Sequence, residues 1–466
     1  MKPLPSVLAL VLTATTAMAQ DFPRQFSRPA VPPREVLNRL NLTLGWYTYV
    51  PTDGRRDSIF SIQLTGDEML VQTRSGTVTS LDPETGRLRW GPAAVGLPYR
   101  HQEALGYNTR LILVTNGTTL YALDRKTGQQ QWSYELPAAP IAPVVADDEQ
   151  IYASLSNGRL HVFRLVVVQP GTAPGRAPST IITGQPQNTE RPPMVDIHGL
   201  PPPAIDLTGP YGGREYVAPA GFPPPAVKPQ FFYAAENTVE ATPLVSPETL
   251  LVADSLGNLL GLSKYNKLEL FTLKTGGKIT APLNQHGEIA YAASADRDLY
   301  TVNMVTGKIL WRFTSTLPIY DRPAVTDTDL YVSPAASGMY RLDRPSGEVL
   351  WHSPQAQRFL ASNPKFVYAT DRSGRLLVLD GRRGTVLSGY DTHDYVLPVS
   401  NDLTDRVYLA AQDGLIVCLH DRDYVRPVLT KKSPEQSPPP APKAKPPAKP
   451  APKPAPKEGE ADADKK

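Results

Sequence analysis

The stretch SGTVTSLDPETGRLRW at residues 75–90 returns as NGTTLYALDRKTGQQQW at 116–132. Both copies hold a glycine turn, an alternating apolar segment ending in Leu-Asp, a Thr-Gly turn and a tryptophan four residues later. Further copies are DLYTVNMVTGKILW at 298–311, SGMYRLDRPSGEVLW at 337–351 and SGRLLVLDGRRGTVLS at 373–388. Weaker ones are NGRLHVFRL at 157–165, LGNLLGLSKYNKLELF at 256–271 and DGLIVCLH at 413–420. The residue that follows the last apolar position serves as a ruler: Asp82, Asp124, Arg164, Ser263, Asn303, Asp343, Asp380 and His420. The steps are 42, 40, 99, 40, 40, 37 and 40 residues. One step is lengthened by an insertion, and the ruler marks eight units. A period near 40 with short alternating strands is the signature of a propeller.

Each unit reads as four strands. A proline-flanked segment such as APVVA at 142–146, TPLVS at 242–246 or LPVS at 397–400 is expected innermost, and the tryptophan segment outermost. β-branched and aromatic residues, period-two alternation and Gly or Asn turns favour strands over helices. The fold expected is therefore all-β, an eight-bladed β-propeller of four-stranded antiparallel blades. The eighth unit has no tryptophan segment after His420, but WYTYVP at 46–51 matches WSYELP at 132–137. An N-terminal strand that completes the last blade would close the ring and bury its free edges.

The repeat resembles the pyrroloquinoline-quinone-type (quinoprotein-type) propeller repeat, whose hallmark is Leu-Asp, two residues, Thr-Gly, three residues, Trp. The resemblance runs from about residue 40 to 425, apart from the insertion. It implies that blade-docking aromatics form a girdle at Trp46, Trp90, Trp132, Trp311 and Trp351, with Phe232, Phe271 and Ser388 at the matching places of the third, fourth and seventh blades. Two classes of function share the repeat. One resembles quinoprotein alcohol or sugar dehydrogenases, which hold pyrroloquinoline quinone and Ca²⁺ on the axis and often set a disulfide of adjacent cysteines against the cofactor. The only cysteine here is Cys418. The other resembles, and is closest in plan to, the non-enzymatic propeller lipoprotein of the outer-membrane β-barrel assembly machinery, which binds protein and uses no cofactor. The expectation is a non-enzymatic, monomeric scaffold with envelope proteins as partners and no cofactor; quinone and Ca²⁺ belong to the alternative, a dehydrogenase.

Other chemistry finds little footing. Seven histidines are scattered without metal-ligand spacing, and no GxSxG, P-loop or strand-following GxGxxG occurs. Acidic turns such as Asp147-Asp148-Glu149 and Asp327-Thr328-Asp329 read as solvated turn chemistry. A net charge of +3, from 48 basic and 45 acidic side chains, implies no nucleic-acid partner for the body of the protein.

Outside the ring, residues 1–19 read as a signal peptide, with Lys2, an apolar run from Val7 to Leu12 and Ala17-Met18-Ala19 before the cut. Residues 20–41 are an N-terminal extension and 42–430 the propeller. The insertion at 166–229 holds fifteen prolines and is expected to be disordered or loosely draped. Its YGGREYVAP at 211–219 reads either as a partner motif or as dispensable. The tail, 431–466, is rich in Pro, Ala and Lys and favours extended polyproline II. It reads equally as a solubilising segment or as a contact for an anionic envelope polymer. With no transmembrane stretch and no cysteine at the cleavage site, the expected mature protein is periplasmic or secreted, soluble and not lipid-anchored. Intact mass of the exported protein checks this: the expected chain starts at Gln20 without an acyl increment, and a mass retaining residues 1–19 contradicts it.

Overall fold

The computed structural model describes residues 29–52, 57–98, 100–102, 104–165, 204–206, 214–217, 227–234 and 237–431. The signal-peptide reading (1–19), most of the insertion and all of the tail after Lys431 lie outside them.

Eight four-stranded antiparallel sheets follow one another along the chain. Their strands are called a to d from the axis outward. Blade 1, for example, consists of Ile59–Leu64, Met69–Thr73, Thr77–Leu81 and Leu88–Ala94. The middle strands are buried on both faces, as in Met69–Thr73 and Gln150–Leu155. The d strands alternate, as in Gln130–Glu135. This follows from stacking sheets face to face around a ring, since b and c strands are covered by both neighbouring blades. The proline-flanked segments are innermost as expected, but short: Val145–Ala146 and Leu244–Val245 are two-residue strands. A proline just ahead cannot donate to a ladder.

The ring closes through the N-terminus. Leu42–Tyr49 is the d strand of blade 8 and pairs with Leu415–Asp421, placing Trp46 opposite Cys418. Among the described residues the buried apolar side chains form eight clusters, one at each blade–blade joint. The joint of blade 8 with blade 1 holds Trp46, Tyr408 and Ile416 against Ile59, Met69 and Val71. A short helix that the β-rich reading did not anticipate, Arg34–Arg39, precedes the closing strand. It seats Leu37 and Leu40 on the joint of blades 7 and 8.

The Leu-Asp-x-x-Thr-Gly turn builds itself and then receives its neighbour. Asp82 Oδ1 accepts the backbone N–H groups of Glu84 (3.0 Å) and Thr85 (2.9 Å) and the Thr85 hydroxyl (3.0 Å). The turn ends on a glycine with positive φ, onto which the d-strand aromatic of the preceding blade packs. The pairs are Trp46 on Gly86, Trp90 on Gly128, Phe271 on Gly307, Trp311 on Gly347 and Trp351 on Gly384. At Gly384, φ is +69° and an added Cβ would lie 2.5 Å from Trp351 Cδ2. The Trp351 indole N–H also donates to Gly381 O at 2.9 Å, and Trp90 donates likewise to Arg125 O at 2.8 Å.

The remaining joints lack that turn. Trp132 faces blade 3, where the insertion replaces it, and is only partly buried. Ser388 faces blade 8, whose d strand arrives from the other terminus. In blade 3 the outer strand begins at Val227, inside the stretch read as insertion. Within the insertion, Ala204–Asp206 pairs with Arg214–Val217. The ladder of blade 3 has its bulge at Gln230, so Phe231 pairs with Val162 directly after it, where the other blades carry their aromatic. Phe231 packs into the joint with blade 4, and Phe232 pairs with His161 one residue further on.

Trp351→Ala is expected to cost about 3–5 kcal/mol, the usual loss for emptying a large buried aromatic site. Gly384→Ala should cost about 1–3 kcal/mol by overpacking the same contact, and the double variant should lose less than the sum because the two changes share one interface. Urea unfolding of the three variants reads this, and strict additivity would argue against the docking.

Candidate functional site

The innermost strands enclose an axial cavity in two connected parts. The wider chamber, about 1080 Å³, opens on the face that carries the a–b turns, and its walls include Leu105, Tyr107, Val144, Val145, Leu244 and Val245. A narrower channel of about 550 Å³ continues from it and shares Gln63, Ala104, Tyr107, Thr242 and Leu244. Its other walls include Phe60, Ile62, Leu283 and Val399, with Arg322 and Arg358. Both volumes fall within or near the range of ordinary ligand pockets.

Charged groups ring the chamber in pairs. Lys264 Nζ lies 2.6 Å from Asp147 Oδ2. Burial would raise the Asp147 carboxyl, but the bond and charge of Lys264, with backbone N–H groups of the turn, hold it below its ordinary value. His286 Nε2 lies 2.8 Å from Asp327 Oδ1, and Arg344 Nε donates to Asp327 O at 2.8 Å. The acidic turns thus do serve the turn chemistry read from sequence, since Asp147 Oδ1 accepts from Glu149 and Gln150. They also put a carboxylate on the chamber rim.

Deeper in, four groups from distant parts of the chain meet. Asn284 Nδ2 donates to Pro323 O (2.7 Å) and to Asp402 Oδ2 (3.1 Å), while its Oδ1 accepts from Arg322 Nη2 (2.7 Å). Lys431 Nζ lies 3.3 Å from Asp402 Oδ2. Burial works against the Asp402 carboxylate, yet the Lys431 and Arg322 charges and the Asn284 bond keep its pKa lowered. Burial lowers Lys431, with Asp402 as the opposing influence. Lys431 reaches this place because residues 424–431 form a strap across the turn face. Arg406 donates to Tyr424 O (3.0 Å) and Val425 O (2.6 Å). Thr430 N then donates to Leu403 O (2.9 Å), and Asp327 N to Thr430 O (2.7 Å). The residue at which the sequence reading begins the tail is therefore anchored in the ring.

None of the expected girdle residues Trp46, Trp90, Trp132, Phe232, Phe271, Trp311 and Trp351 lines the cavity; they sit on d strands, at the opposite radius from the axis. Sequence reading missed Asn284, Arg322, Asp402 and Lys431. The one signal available was positional: a polar residue recurs at the a–b turn in Asn108, Asp147, Ser246, Asn363 and Asn401. A smaller crevice of about 290 Å³ between blades 6 and 7 is structural, its Arg341 committed to Asp329 through two bonds of 2.8 and 2.9 Å. For a quinone with Ca²⁺, the axial walls offer Phe60 and Tyr107 as aromatic surface. Among the described residues, however, no three His, Cys, Asp or Glu side chains converge as a donor set for a metal. Cys418 is buried in a joint, its thiol pushed up by desolvation. The described residues thus do not assemble a donor set for the metal that such a cofactor would bring.

The sequence pattern of the family described as outer membrane protein assembly factor BamB matches residues 43–201 and 269–438. No curated protein matches the chain. Among solved structures, the chain is similar to BamB from Moraxella catarrhalis, with a TM-score of 0.53 and 18% identity over 81% of this chain and 97% of that one. It is also similar to the computationally designed protein Ika8, with a TM-score of 0.52 and 15% identity over 80% of this chain and 100% of that one. At these identities the structural likenesses speak for the fold alone.

Lys431→Met leaves the buried Asp402 carboxylate without its nearest cation and is expected to cost about 1–3 kcal/mol near pH 7. Because the folded pKa of Asp402 is depressed, the stability it contributes is present above the ordinary carboxylate value and is lost as pH falls through the folded one. The gap between parent and variant should therefore narrow below about pH 4. Urea midpoints at the two pH values measure it, and a gap that stays constant rules out the ion pair as its source.

Proposed function

The chain belongs to the family of the outer membrane protein assembly factor BamB, and from that premise we propose that it is a non-enzymatic scaffold for protein–protein interaction in the cell envelope, serving the assembly of envelope or outer-membrane proteins. The observation that carries the reading is on the rim. On the d strands of blades 4 to 7, Leu270, Ile309, Leu310, Val349, Leu350 and Leu387 are exposed by 43 to 54%. The corresponding strand of blade 2 instead carries Gln130 and Gln131. A single large aliphatic side chain, Leu88, is exposed on the d strand of blade 1, whereas their run over four successive blades marks a surface for a protein partner.

Among the described residues no helix is long and apolar enough to cross a membrane. The lysines between prolines in 438–457 support a further contact, electrostatic in kind, between the tail and an anionic envelope polymer. No specific observation favours the dehydrogenase, whose metal would need a donor set that the described residues do not assemble.

A photo-crosslinking amino acid placed at Leu310 or Leu350 in the exported full chain is expected to capture periplasmic or outer-membrane proteins. The same probe at Gln131 should capture none. Incubation of the purified chain with pyrroloquinoline quinone and Ca²⁺ should give no stoichiometric cofactor spectrum and no dye reduction with alcohols or aldoses. Turnover in that assay, with silent crosslinks, would replace the scaffold by an oxidoreductase.

A further inference from the structure

Four of the five tryptophans are tied to the next blade by a hydrogen bond. The indole N–H donates to Pro83 O from Trp46 (3.0 Å), to Arg125 O from Trp90 (2.8 Å), to Arg344 O from Trp311 (3.1 Å) and to Gly381 O from Trp351 (2.9 Å). Trp132 is the exception. Among the described residues its indole N–H has no acceptor, and no turn glycine lies against its ring. The nitrogen also keeps accessible surface, unlike the orphaned polar atoms of the core. An indole N–H at the edge of an apolar cluster ordinarily finds an acceptor.

The surface around it is aromatic and faces one place in the chain. Trp132 and Tyr134 stand two apart on Gln130–Glu135, so their rings share a face of the blade, and both are partly buried. Tyr134 lies edge-on to Phe163, with ring centroids 5.5 Å apart. The same apolar cluster holds Leu165 and Val227. These are the last residue of strand c and the first of strand d in blade 3, and they pair with each other. The chain therefore leaves the ring and re-enters it against Trp132. The residues that run into Val227 are Gly221-Phe222-Pro223-Pro224-Pro225-Ala226. A run of prolines favours polyproline II, whose carbonyls make no internal hydrogen bonds. Surfaces lined with aromatic rings take such segments.

We infer that residues 222–225 of the chain itself are the ligand of this surface: the prolines lie across Trp132 and Tyr134, and one of their carbonyls accepts the Trp132 indole N–H. The insertion thereby restores, at the joint of blades 2 and 3, the contact that the Asp-x-x-Thr-Gly turn makes elsewhere. The inference is independent of the scaffold reading, since it concerns how the ring is held and not what it binds.

The test labels the tryptophans of the full chain with ¹⁵N and follows solvent exchange of the indole N–H signals by NMR. The Trp132 signal is the one lost in Trp132→Phe. In the parent it is expected to be protected to the degree of Trp311, which is likewise half-buried and is bonded. With Pro223, Pro224 and Pro225 all replaced by Ser, its exchange should quicken roughly tenfold, as for the loss of one hydrogen bond. The other four signals should stay in place and report an intact ring. The three single substitutions stand in for the triple one should it unfold. Free exchange of Trp132 in the parent overturns the inference, and so does protection that survives the Ser substitutions. Protection that falls on dilution overturns it too, because it assigns the cover to a second copy of the chain.

Discussion

The ring depends on a contact in which one partner has no side chain. In five joints a d-strand aromatic packs on the next blade where the turn between strands c and d presents a glycine, and that turn is held by an Asp or Asn that binds the turn's own N–H groups. Local turn chemistry and long-range docking are thus one device, repeated at five of the joints. Each joint has its own apolar cluster, so there is no single core to nucleate the others. Stability is close to a sum over neighbours, as in other repeat architectures. What makes the sum cooperative is closure by Leu42–Tyr49, which joins the two ends of the chain in one sheet.

The repeat made the architecture legible because its period and its turn residues are both encoded locally. The closing strand was legible too, since WYTYVP carries the same alternation as WSYELP. The aromatic position in blade 3 was not. Three aromatics in a row, Phe231, Phe232 and Tyr233, fit the expected spacing after an insertion that removes the ruler, and only the bulge at Gln230 decides that Phe231 and Tyr233, not Phe232, enter the joint. The helix Arg34–Arg39 escaped because six residues carry too little periodicity to stand out from an extension.

The axial groups were illegible for a different reason. Asn284, Arg322, Asp402 and Lys431 lie up to 147 residues apart and share no spacing. Each reads by itself as an ordinary turn or linker residue. They converge because inner strands of different blades all face one axis, so that a propeller converts sequence distance into radial proximity. Lys431 is the extreme case. Its neighbours in sequence signal the start of a tail, but the strap that ends in it is fixed by Arg406, Leu403 and Asp327.

The two ends of each blade consequently carry different burdens. At the outer radius polar groups are spent on holding blades together, and the Trp351 indole N–H, which donates to Gly381 O of the next blade at 2.9 Å, is typical. At the inner radius the strands are short and proline-flanked, and cannot cover the axis with backbone. Side chains must line it, and their identity is free of the docking constraint. The same scaffold can therefore accept a channel of mixed apolar and polar lining here and a different one in another chain without disturbing a joint. The strap adds a limit of its own, because it brings Lys431 to Asp402 and neutralises the one buried carboxylate in the deep cluster. Arg322 acts on the same carboxylate by its charge and through Asn284, so the strap and the start of blade 6 converge on one buried group.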